Sequence, residues 1–289
     1  MQKKVAVASL IASALLAGCG GGGDSGAVVS PVPATPSPAP APSPAPSPAP
    51  APAPVGEALP SLSSPQAGST AATGTGALGI WTAASGLNKT YAFVDPAQKI
   101  SSVDYLAGSP ASELFGVLSV SGTSWTMTGS HWEFTGFVYP ISSASGSFVP
   151  MQTFSGSYVE NGRTQSIAWN YDAANALSVT QASVAGTWAV TNASLTIAAD
   201  GSVSGTLSGC NVNGTMMLST PGSNQNLYSV SLTTAVGGSC SAPAGSVFQG
   251  NAAIVFRPIS GSNGYSRAIS YLLKTPTNSF MASGVLAKQ

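Results

Sequence analysis

Charge is scarce in this sequence. Lysine, arginine, aspartate and glutamate supply 6% of its 289 residues, against about a quarter in ordinary soluble proteins. The nine basic residues are scattered among nine acidic ones, so no basic patch forms and the electrostatic footprint of a nucleic-acid binder is missing. Histidine occurs once, at His131, and cysteine three times. That supply cannot build the usual four-donor zinc site; in particular, Cys210 and Cys240 have no histidine near them in sequence. No Gly-x-Ser-x-Gly elbow, Ser-x-x-Lys pair, phosphate loop, dinucleotide fingerprint or calcium loop is present. Long apolar runs are missing too. Val5 to Leu16 is twelve uncharged residues, where a membrane-spanning helix needs about 20. From residue 77 onward no stretch carries the apolar period of a long helix.

What is present starts with that short run. Lys3 and Lys4 precede it, and Leu16-Ala17-Gly18-Cys19 closes it. A basic start, an apolar core of this length and small residues before the end are the parts of an export signal. The cysteine directly after the small pair resembles the lipobox of bacterial lipoproteins. The resemblance implies cleavage before Cys19, diacylglycerol on its sulfur and a third acyl chain on the new amino group. Three acyl chains hold far more firmly than one, whose binding is marginal. In that class an aspartate after the cysteine favours the inner membrane; Gly20 stands here, which implies the outer membrane of a Gram-negative cell.

Next come a glycine run, Gly20 to Gly23, and a proline-rich stretch. Pro31 to Pro54 holds twelve prolines in twenty-four residues. Such composition cannot bury a core and favours polyproline II, a spacer roughly 75 Å long at about 3.1 Å per residue. Val55 to Gly76 continues in Ala, Ser, Gly and Thr. The expected division is a leader over 1–18, a disordered tether over 19–76, and folded chain over 77–182 and 183–289.

The folded part reads as short alternating runs between turn residues. Asp200-Gly201, Asn161-Gly162 and Asn263-Gly264 each separate two such runs, the strongest short-range hairpin signal. Gly79-Ile80-Trp81 and Gly186-Thr187-Trp188 stand 107 residues apart and each opens a block. Strands are predicted near 78–84, 90–95, 98–105, 114–121, 124–129, 132–139, 151–159 and 164–171. In the second block they fall near 185–190, 193–199, 202–208, 212–219, 226–234, 246–256, 266–273 and 279–286. Eight strands in sequence order close most simply as an up-and-down barrel, which removes its edges. The expected fold is therefore all-β, two small antiparallel barrels in tandem, with one large sandwich or an irregular sheet as the alternative. Gly-x-Trp on the first strand of such a meander resembles the opening of lipocalin and avidin barrels. That resemblance implies that Trp81 and Trp188 pack across the closed barrel ends; the arginine that often closes the lipocalin barrel end has no clear counterpart. The layout as a whole resembles lipoproteins of Gram-negative bacteria with a lipobox, a tether and small β-barrels, and the resemblance implies no particular activity. With Cys19 assigned to lipid and the chain exported, Cys210 and Cys240 are an even pair in an oxidising compartment, which predicts a disulfide.

Chemistry is sparse. Gly23-Asp24-Ser25-Gly26 resembles the nucleophile segment of chymotrypsin-type proteases, but it sits in the tether where no base can be held. His131-Trp132-Glu133 could be an acid–base or sugar-binding patch. Alternation offers a plainer reading, a strand with Trp132 and Phe134 on one face, the tryptophans in the core, and His131 and Glu133 on the other. The acidic residues Asp95, Asp104, Glu113, Glu133, Glu160, Asp172 and Asp200 form no tight motif. Tyr139 and Tyr265 lie beside turns where a binding loop could use them. The expectation is a non-enzymatic, cofactor-free, lipid-anchored envelope protein that binds a glycan, a small apolar ligand or another envelope protein. A structural or assembly role is the alternative, and a glycan hydrolase the more distant one.

Overall fold

The computed structural model describes residues 56–289. The leader 1–18, the lipidation site Cys19 and the proline stretch 31–54 lie outside the described residues. Two closed eight-stranded barrels follow each other along the chain, each an antiparallel meander. Barrel 1 comprises β1 (Gly79–Ser85), β2 (Asn88–Val94), β3 (Lys99–Leu106), β4 (Ser109–Ser121), β5 (Ser124–Glu133), β6 (Val138–Val149), β7 (Thr153–Glu160) and β8 (Arg163–Tyr171). Barrel 2 comprises β9 (Gly186–Val190), β10 (Ala193–Ile197), β11 (Ser202–Leu207), β12 (Cys210–Leu218), β13 (Tyr228–Gly238), β14 (Val247–Pro258), β15 (Tyr265–Lys274) and β16 (Met281–Lys288). Trp81 opposite Tyr171 closes the first barrel and Trp188 opposite Lys288 the second.

The three predicted hairpins are present: Asn161-Gly162 joins β7 to β8, Asp200-Gly201 joins β10 to β11, and Asn263-Gly264 lies between β14 and β15. At the middle one, the Asp200 carboxylate accepts hydrogen bonds from the Ser202 amide and hydroxyl, at 2.9 and 2.8 Å. Those bonds hold its carboxyl below the usual carboxylate range. Two expectations need correction. The strand predicted over 132–139 runs across a turn: β5 continues to Glu133 and β6 begins at Val138. The tether does not reach residue 76. Glu57 bridges to Tyr265 and its carboxylate takes Arg267 in a fork at 2.8 and 3.0 Å. A single helical turn, Thr70–Thr73, is capped by the Ser69 side chain and buries Thr70 and Ala71.

The two Gly-x-Trp segments do the same work. Trp81 Nε1 donates to the Ala77 carbonyl at 2.8 Å, and Trp188 Nε1 to the Val184 carbonyl at 2.7 Å. Both indoles are fully buried. Their lids differ: Tyr171 meets Trp81 edge-on at 4.9 Å, whereas the Lys288 ammonium lies 5.6 Å from the Trp188 ring centre. The closing cation exists in barrel 2 only, as lysine on the last strand. In barrel 1 aromatic rings fill the lumen, with Phe154 stacked on Trp125 at 5.0 Å and on Trp169 at 5.5 Å. Gly146 faces Gly156 across β6 and β7, and a methyl group on either would lie 2.5 Å from the Trp125 ring.

The barrels meet along their outer walls. Trp81 and Ala92 point into barrel 1, so their neighbours Ile80, Phe93, Val103 and Phe115 point out; all four are buried in one apolar cluster with barrel 2. Barrel 2 offers Ala253, Val255, Ala268 and Leu272 from β14 and β15. Two buried asparagines pin the connecting segment beside this seam. The Asn175 side chain accepts from the Ile80 amide at 2.8 Å and donates to the Ile80 carbonyl at 2.7 Å. Asn226 does the same to Ile254 and also donates to the Ala174 carbonyl. Each amide substitutes for one residue of a neighbouring strand, which keeps buried backbone groups paired.

Candidate functional site

Two places gather polar groups where a ligand could meet them. The first is the mouth of barrel 1, at the end away from Trp81. Strand register decides what lines it. Trp125, Met127, His131 and Glu133 lie opposite Val120, Leu118, Leu114 and Ser112, and Leu114 and Leu118 belong to the lumen. His131 and Glu133 therefore face inward. Trp132 and Phe134 face outward, with Phe134 43% exposed. The plain core reading of this strand is right that His131 and Glu133 share a face and wrong about which face is the core. Trp125 and Trp132 are seven positions apart, so the two cannot both point into the barrel.

From β7, Glu160 reaches the same lumen. His131 Nδ1 is hydrogen-bonded to Glu160 Oε2, and Gln165 Nε2 donates to the other carboxylate oxygen at 3.0 Å. His131 is 5% exposed and Glu160 1%. One donor atom each from His131, Glu133 and Glu160 fall within 4.8 Å of one another. The ring of Tyr158 lies 5.6 Å from that of His131. Burial raises the Tyr158 phenol well above its ordinary value, and the Asp104 and Glu160 carboxylates push it further. Asp104 itself accepts from Thr90 at 2.6 Å and from Ser112 at 3.0 Å. Sequence reasoning named His131 and Glu133 but saw no link to Glu160 or Asp104. Those four residues sit on three separate hairpins, and only closure of the barrel brings them together.

The second place is a cleft of about 440 Å³ between the barrels. Phe115 and Val117 supply its apolar side chains, and Gln249, Asn251 and Thr128 its polar edges. Lys99 from barrel 1 and Lys274 from barrel 2 both line it, and no acidic residue does. Lys274 donates to Asn278 Oδ1 at 2.6 Å, and its ammonium lies 5.3 Å from the Phe115 ring centre. Partial burial and then the Lys99 charge lower its pKa, so a negative group placed there would relieve both penalties. A smaller apolar pocket of about 190 Å³ opens at the mouth of barrel 2, lined by Leu232, Phe248 and Phe280 among others.

Of the remaining sequence candidates, Cys210 and Cys240 are joined as a disulfide. Tyr265 is tied to Glu57 at the barrel 2 rim, and Tyr139 stacks on Phe137 at 6.1 Å. Asp95 is taken up by its turn, accepting from the Ala97 and Lys99 amides. Asp172 caps the connector by accepting from the Ala174 amide. Comparison with protein-family models, with curated proteins and with solved structures finds no match to this chain.

Proposed function

We propose that this protein is a lipid-anchored envelope lipoprotein, held at the outer membrane through Cys19, that acts as a non-catalytic binding module. The observation that carries the reading is the inter-barrel cleft. At about 440 Å³ it falls within the roughly 300–1,000 Å³ of small-molecule sites, and the barrel 2 pocket does not. Its apolar side chains and paired lysines suit a small ligand with a flat or aliphatic body and one anionic group, a narrower class than the sequence suggested. The test uses the full-length chain in detergent with an aromatic sulfonate as probe. Exchanging Lys99 and Lys274 together for serine and methionine is expected to weaken probe binding at least tenfold. Equal affinity in the double variant would remove the cleft from the proposal.

Catalysis fits less well. A glycosidase needs two carboxylates roughly 5–9.5 Å apart with a sugar between them. The carboxylates near His131 converge more tightly, and Glu160 is all but sealed from solvent. A second reading, assembly with another envelope protein, is favoured by the rim of barrel 1, where Leu87, Leu106 and Phe137 stand 80%, 57% and 59% exposed in or beside three turns. Crosslinking from Phe137 in intact cells distinguishes the two: a specific protein adduct supports assembly, and loss of that adduct in Leu87→Ser would locate it at this rim.

A further inference from the structure

We infer that His131, Glu133 and Glu160 form a binding site for a divalent transition-metal ion in the mouth of barrel 1. Three observations lead there. The donor atoms converge: one atom from each side chain lies within 4.8 Å of the other two, a spread that a small side-chain adjustment would bring onto a single ion with bonds of about 2.0–2.2 Å. The charge is unbalanced. Glu133, Glu160 and the neighbouring Asp104 line one lumen end, and among the described residues no lysine or arginine pairs with any of them. Glu160 alone of the three is fully buried and already holds His131, so Glu133 and Asp104 add negative charge beside that pair with no cation of their own. The support is rigid as well. All three side chains project from paired strands, and Gln165 fixes the second Glu160 oxygen, as metal-bound carboxylates are usually fixed by an outer partner.

The donor set indicates the class of ion. Two carboxylates with one imidazole suit Zn²⁺ or Mn²⁺ better than calcium, which takes six to eight oxygens. Site and cleft lie on different parts of the molecule, so this inference stands apart from the proposed ligand.

The full-length chain in detergent is stripped with chelator and dialysed against Zn²⁺ and, separately, Mn²⁺, with bound metal counted by mass spectrometry. One ion per chain is expected for at least one of the metals. Glu133→Gln should weaken it at least tenfold and His131→Gln should abolish it. Saturating metal should raise the melting temperature of the unmodified chain by more than that of Glu133→Gln. Should His131→Gln fail to fold, the Glu133 variant decides alone, because that side chain is only partly buried. No retained ion, or retention unaltered by Glu133→Gln, overturns the inference; in that event His131 and Glu160 are a core hydrogen-bonded pair.

Discussion

Glu113 is the carboxylate whose chemistry barrel docking alters. It projects outward from β4 into the seam, 1% exposed, and neither carboxylate oxygen has a hydrogen-bond partner. Ser283 lies beside it, and the Glu113 charge reaches Tyr105 and Tyr271. Burial pushes its carboxyl up to about 7, against 4.5 when free, with Ser283 offsetting a little of the rise. The folded chain therefore keeps a proton that the unfolded chain releases. Stability is full below pH 4.5, falls as pH rises towards 7, and levels off above. A rise of that size corresponds to about 3 kcal/mol as an upper figure. Glu113→Gln is expected to match the parent protein at pH 5 and to exceed it by about 2–3 kcal/mol at pH 8, read from urea unfolding at both values. Equal pH dependence in the two proteins would refute the burial argument. Nothing in the sequence marks Glu113. It reads as an ordinary outward position, and only the second barrel turns that outside into an inside. His131 was partly legible, since its parity with Trp125 follows from residue numbers alone, but its partner Glu160 is 29 positions away.

At the scale of elements, two local devices carry stability that can be measured. The Cys210–Cys240 disulfide ties β12 to the loop after β13 across 30 residues. On the chain-entropy account such a loop contributes about 3–4 kcal/mol, so Cys210→Ser should lower the melting temperature under oxidising conditions and abolish the effect of reductant. Asn175→Ala should cost about 2–4 kcal/mol, because it leaves the buried Ile80 amide and carbonyl unpaired at once. Asn175→Asp, which retains an acceptor but no donor, should restore only part of it. The same thermal melts check all three. All eight strands of barrel 2 were legible, with ends within four residues, because its runs alternate cleanly and its turns carry Asp-Gly and Asn-Gly. Barrel 1 blurred at β5 and β6. Between Glu133 and Val138 the turn is Phe134-Thr135-Gly136-Phe137, and its two exposed phenylalanines mimic a continuing strand.

For the whole molecule, the anchor reading gives one direct expectation. Cys19→Ala should release the protein from membranes, measured by fractionation and by loss of labelled fatty acid; persistent membrane association would defeat the lipobox reading. Where the tether ends was not legible. Residues 56–76 have the composition of a linker, yet Glu57 and Thr70 reach partners more than 150 positions away. The sequence by itself determined the all-β class, the repeat of two eight-stranded meanders, the hairpin positions and the cysteine pairing. Those follow from period-two patterning and turn chemistry, which act over a few residues, and from the even pair of cysteines in the folded part. Tertiary structure alone decided which walls are shared, that Lys99 and Lys274 flank one cleft, and that Glu133 and Glu160 converge on one histidine. Barrel closure and barrel docking set those distances, and neither is encoded in any local run of residues.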